Sequence, residues 1–297
     1  MTKTIGFLCL VLTGLVLTFS LQGCQYLRFL SSESIEADIP TVVQPQRNDK
    51  SFRIPPYLFI TDFDIDRKLP LFRELEHLRD QVCKELKVSP SDKVIKVYLF
   101  RNKTNYEQYM SKRYSYLPNR RAYFITGVAK RPNDLEELMV FTYWSGQIQQ
   151  DLRHELTHAL LHSDLKDVPL WLDEGLAEYY EVPHDWDGIN YQHLDKIVFG
   201  TDNAFRPNLA KLEQLRKVDD MNSPEYREAW AWTHWMLHGD ARARQVLITY
   251  LHELKRNPNP GLLGPRLRAA VPNPEQAMLH HIRALQAQPR KGLAMMQ

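Results

Sequence analysis

The sequence predicts an α+β fold, in which a mixed β-sheet with helices forms an N-terminal lobe and a mainly helical C-terminal lobe follows. Short segments rich in β-branched and aromatic residues, which are typical of strands, occur before residue 144. From residue 148 onward the apolar residues recur at helical spacing. We therefore expect one domain over residues 53–290, with the sheet-containing lobe at about 53–163 and the helical lobe at about 164–290.

The N-terminal lobe begins with a strand, a helix and a second strand, which indicates a mixed sheet. Apolar and aromatic residues alternate or run together in the predicted strands at residues 57–60, 94–100, 122–126 and 138–143. Helical spacing predicts helices at residues 69–86, 105–112 and 148–162. We expect the aromatic residues at 141–144 to line an edge strand, where an extended peptide can pair.

Proline and capping signals mark the helices of the second lobe. Pro169 suits the first turn of a helix over residues 170–181, and Pro183 follows its end. Ser223-Pro224-Glu225 has the pattern of an N-cap, a first-turn proline and a first-turn acid, which predicts a helix to residue 238. The remaining periodic segments predict helices at residues 241–256 and 274–286.

Composition indicates a globular protein that does not bind nucleic acid. The chain has 297 residues, of which 43% are hydrophobic and 25% charged, so it is long enough to bury a sizeable core. Its 38 basic and 36 acidic residues are mixed along the chain and leave a net charge of only +2. A nucleic-acid partner is not expected, because the sequence has no basic patch to neutralise phosphates.

The N-terminus has the features of an export signal. Lys3 precedes an uncharged, mostly apolar run over residues 4–21, which is too short to span a bilayer comfortably. The run ends in Leu21-Gln22-Gly23-Cys24, which resembles the lipobox of bacterial lipoproteins. That resemblance implies a signal peptide over residues 1–23, lipidation of Cys24, and a lipid-anchored protein of the bacterial envelope. If the cell is Gram-negative, Gln25 rather than Asp after the cysteine favours anchoring in the outer membrane, with the protein facing the periplasm or the exterior. Alternatives are a soluble secreted protein and a single membrane anchor.

Residues 24–52 are predicted to form a flexible tether between the lipid and the folded domain. The segment is rich in serine, proline and polar residues and offers little material for a core.

The motif His154-Glu155-Leu156-Thr157-His158 lies within a predicted helix. At this spacing the two imidazoles point the same way, one turn apart, and can hold a zinc ion. Glu155 between them is the candidate general base that activates water. A catalytic zinc site uses three protein ligands, so a third ligand is required. The following helix offers Glu174 and Glu178, four residues apart on one face; one can bind metal while the other supports a ligand.

The two motifs together, HELTH and the later W-L-D-E-G-L-A-E-Y-Y, resemble the gluzincin superfamily of zinc peptidases. The resemblance implies one Zn²⁺ per chain, with Glu174 as the third ligand and Glu178 orienting His154. A solvated helix face is the alternative interpretation of Glu178. The segment Tyr226-Arg227-Glu228-Ala229-Trp230-Ala231 resembles the helix that supplies an oxyanion-stabilising tyrosine in aminopeptidase-like members, which implies that role for Tyr226. Tyr226 could equally belong to a packing stripe of its helix.

The other histidines are assigned lesser roles. His234 and His238 are reserve donors for the oxyanion. Three histidines are expected to lie in loops or on the surface, because three ligands already complete the site: His162, His184 and His193.

The leading functional hypothesis is a membrane-tethered zinc peptidase that hydrolyses peptide or protein substrates. No Gly-x-Met-Glu-Asn segment, which grips a substrate amino terminus in aminopeptidases, precedes HELTH, and this favours an endopeptidase. The alternative is a binding lipoprotein that keeps a peptidase-like scaffold without turnover. A purely structural zinc is less consistent with two histidines and one carboxylate, since structural sites are usually closed by four Cys or His ligands.

Overall fold

The computed structural model describes residues 26–27, 50–90, 92–127, 136–202 and 205–291. These residues form an α+β fold in which a mixed sheet comes first and a helical part follows, which confirms the predicted fold class.

One sheet contains all the strands of the described residues. They are β1 (Tyr26–Leu27), β2 (Lys50–Ile54), β3 (Tyr57–Thr61), β4 (Ile95–Phe100), β5 (Ala122–Gly127) and β6 (Glu137–Tyr143). Their order in the sheet is β1-β5-β6-β4-β3-β2. Strands β3, β4 and β6 are parallel, β2 and β5 are antiparallel to β3 and β6, and the two-residue β1 is parallel to β5. The central strands β4 and β6 are buried on both faces, which explains their nearly continuous apolar sequences.

α-Helices cover both faces of the sheet and form most of the remaining described fold, together with loops and two short 3-10 helices at His184–Trp186 and Val218–Asp220. The α-helices are α1 (Pro70–Leu86), α2 (Lys103–Arg113), α3 (Ile148–Asp164), α4 (Leu170–Tyr180), α5 (Tyr191–Asp202), α6 (Leu209–Leu212), α7 (Ser223–His238), α8 (Ala241–Leu254), α9 (Leu263–Ala270) and α10 (Pro274–Gln286). Helices α1 and α3 share the main core with one sheet face, whereas α2 packs on the other face against Tyr98 and Phe141.

Helix α4 packs closely against α7 at Gly175. A Cβ atom at this position would lie 2.5 Å from Thr233 Oγ1 and 2.6 Å from the Ala229 carbonyl oxygen. Only a glycine therefore allows α7 to approach the helix that carries Glu174, and this approach fixes α4 against the core.

The predicted strands and helices are present with boundaries that differ by a few residues, but five elements were not predicted: β1, β2, α5, α6 and α9. Strand β1 has only two residues. In β2 only Phe52 is well buried, and its ring stacks on Phe59 at 5.0 Å between centroids. With a single buried residue, the sequence of β2 shows too little alternation of apolar and polar residues to predict a strand. Helices α6 and α9 have only four and eight residues, and the stability of such short helices comes mainly from packing against neighbours that the local sequence does not reveal. Helix α5, with 12 residues, has an ordinary length.

Two local predictions were wrong. The N-cap of α7 is Asn222 rather than Ser223, and its N–H donates to Glu225 Oε2 at 3.0 Å. Strand β6 is not an edge strand, because it pairs with β4 on one side and β5 on the other. Trp144, just beyond its end, packs edge-on against Phe63.

The predicted signal peptide, the lipidation site Cys24 and residues 28–49 of the predicted tether lie outside the described residues. Two parts of that tether belong to the sheet: residues 26–27 form β1, which pairs with β5, and β2 begins at Lys50. Within the described ranges, no helix has both the length and the apolar character that crossing a bilayer requires.

Candidate metal centre

Helix α3 holds the HELTH motif in the interior of the protein. His154, Glu155 and His158 are at most 3% exposed. The helix is buried on nearly every side because it lies between the sheet and α4. The two imidazoles and the carboxylate between them therefore lie in the interior of the protein.

Glu174 on α4 meets both imidazoles. Its Oε2 lies 3.6 Å from His154 Nε2 and 3.7 Å from His158 Nε2. A tetrahedral zinc ion with bonds of about 2.1 Å holds its ligand atoms about 3.4 Å apart. The three ligand atoms therefore have nearly the spacing that zinc requires, and these residues form one of the groups able to hold a metal ion.

Three ligand-group atoms of His158 and Glu174 are buried without a hydrogen-bond partner among the described residues. They are His158 Nε2 and both carboxylate oxygens of Glu174. A buried carboxylate in this state is costly unless a cation or a donor compensates it. Two histidines and one glutamate also leave a fourth position open, as in catalytic zinc sites. The donor set, its burial and its spacing all fit a zinc ion.

Asp173 supports the second histidine. Its Oδ2 lies 3.0 Å from His158 Nδ1 and 3.1 Å from His162 Nε2. Burial alone would raise the pKa of Asp173, but the two imidazoles outweigh it and hold this pKa below its usual range. Burial opposes protonation of His158, yet Asp173 and Glu174 together raise its pKa. The protein thus places negative charge around a position suited to a cation.

Glu181, not Glu178, contacts the first histidine. Glu181 Oε2 lies 2.8 Å from His154 Nδ1, and Gln150 and Asn190 donate to Glu181 Oε1 at 2.8 and 2.9 Å. With its proton on Nδ1, His154 presents the Nε2 lone pair to a metal. The sequence-based assignment of this role to Glu178 therefore differs from the structure. Glu181 follows the last residue of α4, where the sequence resemblance offered no matching position.

Glu178 is buried and lies next to a different histidine. Its Oε2 is 2.7 Å from His193 Nε2 on α5. Burial would raise the pKa of Glu178, but His193 lowers it to about 2, whereas burial and the neighbouring Glu178 raise the pKa of Glu181. The solvated-face interpretation of Glu178 is wrong, since the residue is only 7% exposed.

One comparison with known proteins covers this part of the chain. A family model described as "Protein of unknown function (DUF1570)" matches residues 150–259. The match contains the three candidate ligands and runs from α3 beyond α8. No curated protein matches the chain. This family has no assigned activity, so the match gives no chemistry for the site.

Tyr226 lies on α7 inside the matched segment. It is 6% exposed, and its ring belongs to the main apolar cluster together with Trp230. The structure thus places the Tyr226 ring in the packing stripe that the sequence offered as an alternative. Two groups of described residues could hold a metal ion, His154 with His158 and Glu174, and His154 with Glu178 and Glu181, and neither includes Tyr226.

The reserve donors His234 and His238 belong to a separate cluster. His234 Nδ1 lies 2.9 Å from His281 Nε2, and His238 Nε2 lies 2.7 Å from the Tyr179 hydroxyl. Of the three histidines expected in loops or on the surface, His184 is exposed, but His162 and His193 are buried beside Asp173 and Glu178. The sequence missed these buried pairs because the acids and histidines lie on different helices.

Proposed function

We propose that this protein is a zinc-dependent peptidase that cleaves within peptide or protein chains. The observation that supports the proposal best is the convergence of His154 Nε2, His158 Nε2 and Glu174 Oε2 in a buried site. The H-E-x-x-H order on α3 adds a carboxylate beside the ligands, which a site built only for structure does not need.

Each residue has a role that follows from its position. His154, His158 and Glu174 would hold the zinc ion, and Asp173 and Glu181 keep the protons of the two imidazoles on Nδ1. When bound, zinc polarises the scissile carbonyl and makes water more acidic. Glu155 accepts the proton of the attacking water and delivers it to the leaving amine. The absence of a Gly-x-Met-Glu-Asn segment before His154 favours endopeptidase action.

The decisive experiment separates metal binding from hydrolysis. Purified full-length chain is expected to contain one zinc ion and to cleave members of a peptide library. Glu155→Gln should retain zinc and lose hydrolysis by at least about 100-fold, because a general base supplies 10²- to 10⁴-fold. His158→Ala should lose both zinc and hydrolysis.

Other outcomes have defined meanings. Zinc binding by the wild type without turnover of any peptide would favour the binding lipoprotein. Hydrolysis at the wild-type rate by Glu155→Gln would refute the assignment of the base.

A second part of the proposal concerns location. Leu21-Gln22-Gly23-Cys24 supports lipidation of Cys24 and anchoring to a membrane of the bacterial envelope. Cells fed labelled palmitate should incorporate the label into the wild-type protein but not into Cys24→Ala. If neither protein incorporates the label, lipidation of Cys24 is wrong, and a soluble secreted protein or a single membrane anchor is the better description.

A further inference from the structure

We propose that His162 positions Asp173 and, through it, the ligand His158, so that His162 sets how tightly the site holds zinc. This inference rests on the zinc site of the proposed function, and it adds a residue for which the motifs gave no role. His162 would be a positioning residue, since it acts on the metal through two other side chains.

The geometry is a row of three histidines on α3, each one helical turn after the last. His154, His158 and His162 occupy positions i, i+4 and i+8 of the helix. The first two contact Glu174, whereas the third contacts Asp173. His162 is 5% exposed and Asp173 is completely buried.

One carboxylate oxygen joins two of these imidazoles. Asp173 Oδ2 lies 3.0 Å from His158 Nδ1 and 3.1 Å from His162 Nε2. Both nitrogens can donate a hydrogen to that oxygen, and the donation from His158 Nδ1 leaves its Nε2 lone pair for a metal. The contact with His162 fixes the direction of the carboxylate, because rotation of Asp173 would lose the hydrogen bond to His162 together with the 3.0 Å contact to His158 Nδ1.

Phe124 on β5 limits the movement of both rings. Its ring stacks on His162 at 5.7 Å and on His158 at 6.3 Å between centroids. A ring held by an aromatic face and by a carboxylate has few alternative rotamers. His162 therefore contributes to a preformed metal site rather than filling space at the end of α3.

Zinc affinity of the full-length chain tests the proposal without reference to peptidase activity. Competition with a chelator measures the zinc Kd, and the visible spectrum of the Co²⁺-loaded protein reports the ligand geometry. His162→Leu should raise the Kd about tenfold, the lower end of the range for outer ligands of metal-binding histidines. His162→Gln should recover most of the affinity, because its amide N–H reaches about as far as Nε2.

A double-mutant cycle decides whether His162 acts through Asp173. Asp173→Asn alone should raise the Kd about 10- to 100-fold, and adding His162→Leu to it should cause less than about a further twofold change. The control is His281→Leu, which removes a half-buried histidine from another helix, α10. This variant should leave the zinc Kd and the Co²⁺ spectrum unchanged.

The results separate this inference from the proposed function. If the wild type binds zinc and His162→Leu binds it equally well, or if the effect persists in Asp173→Asn, the positioning role is wrong while the zinc site stands. If the wild type binds no zinc, both are wrong.

Discussion

Glu181 Oε2 lies 2.8 Å from His154 Nδ1, so the carboxylate that supports the first zinc-ligand candidate comes from the residue after α4. Glu178, one turn earlier, points its Oε2 to His193 Nε2 at 2.7 Å. Two neighbouring buried acids therefore serve different histidines, and only one of those histidines belongs to the ligand group His154, His158 and Glu174.

This division predicts unequal effects of two matched substitutions. Glu181→Gln should raise the zinc Kd about 10- to 100-fold, because the amide is a weaker partner for His154 Nδ1. Glu178→Gln should change the zinc Kd by less than about threefold, because the partner of Glu178, His193, is not among the proposed zinc ligands. Chelator competition at one pH measures both. An equal or larger loss for Glu178→Gln would restore the role that the sequence resemblance gave to Glu178.

The packing of α4 on α7 predicts a stability difference between two glycines. Gly175→Ala should destabilise the fold by about 1–3 kcal/mol, because the added Cβ would meet Thr233 Oγ1 and the Ala229 backbone. Gly146→Ala is the control, since a Cβ there meets nothing within 4 Å. It should change the free energy of unfolding by less than about 0.5 kcal/mol. Urea denaturation measures both, and equal stability of the two variants would contradict the close approach of the helices.

The histidine cluster of α7 and α10 predicts a loss of stability in acid. Burial lowers the pKa of His234 well below its ordinary value, and burial lowers the pKa of His281 to about 4. Burial also lowers the pKa of His238. The charges of Glu85 and Asp187 act to raise this pKa, and Arg244 and Lys291 add smaller lowering effects. Each of the three imidazoles is therefore easier to protonate in the unfolded chain than in the folded one.

The sign of the effect follows from linkage. Stability from these neutral imidazoles is complete above the ordinary pKa of 6.5 and falls as the pH drops toward 4, where His281 accepts a proton in the folded state. Each group adds a slope of at most about 1.4 kcal/mol per pH unit in that window. Urea unfolding of metal-free protein should show a shallower slope for His281→Gln than for the wild type. Identical slopes would show that His281 titrates alike in both states.

Tyr226 gives a prediction that separates its two interpretations. If its hydroxyl stabilises the oxyanion, Tyr226→Phe should lower kcat about 10²- to 10³-fold and leave the zinc content unchanged. The resemblance to aminopeptidase-like gluzincins predicts this loss, whereas the packing of the ring in the structure predicts none. The ring lies in the apolar cluster of α7, and phenylalanine preserves that packing. A kcat within about threefold of the wild-type value would be a much smaller change than removal of an oxyanion donor causes. Tyr226 would then have only a packing role.

Much of the site could be predicted because helical spacing is a local property. Residues i and i+4 share a face in any α-helix, so the sequence alone paired His154 with His158 and put Glu155 beside them. The same regularity predicted α3 and α4 to within a few residues. The strand-then-helix order likewise followed from the change in hydrophobic period after residue 144.

The partners across helices could not be predicted in this way. Glu174, Glu178 and Glu181 recur along one side of the same segment, and the sequence does not say which of them reaches which imidazole. That depends on how α4 crosses α3, and the crossing is fixed by Gly175 against α7 and by the buried apolar faces. The contacts of His162 and His193 have the same origin.

The sequence by itself determined the fold class, the helices of the motif and the residue types suited to zinc, because these depend on periodicity and side-chain chemistry along a short stretch of chain. Only the tertiary structure decided that Glu174 converges on both imidazoles and that Asp173 and Glu181 support them. Those distances arise from packing between elements far apart in the chain, where a rotation or a shift of one helix by a single residue would replace every partner.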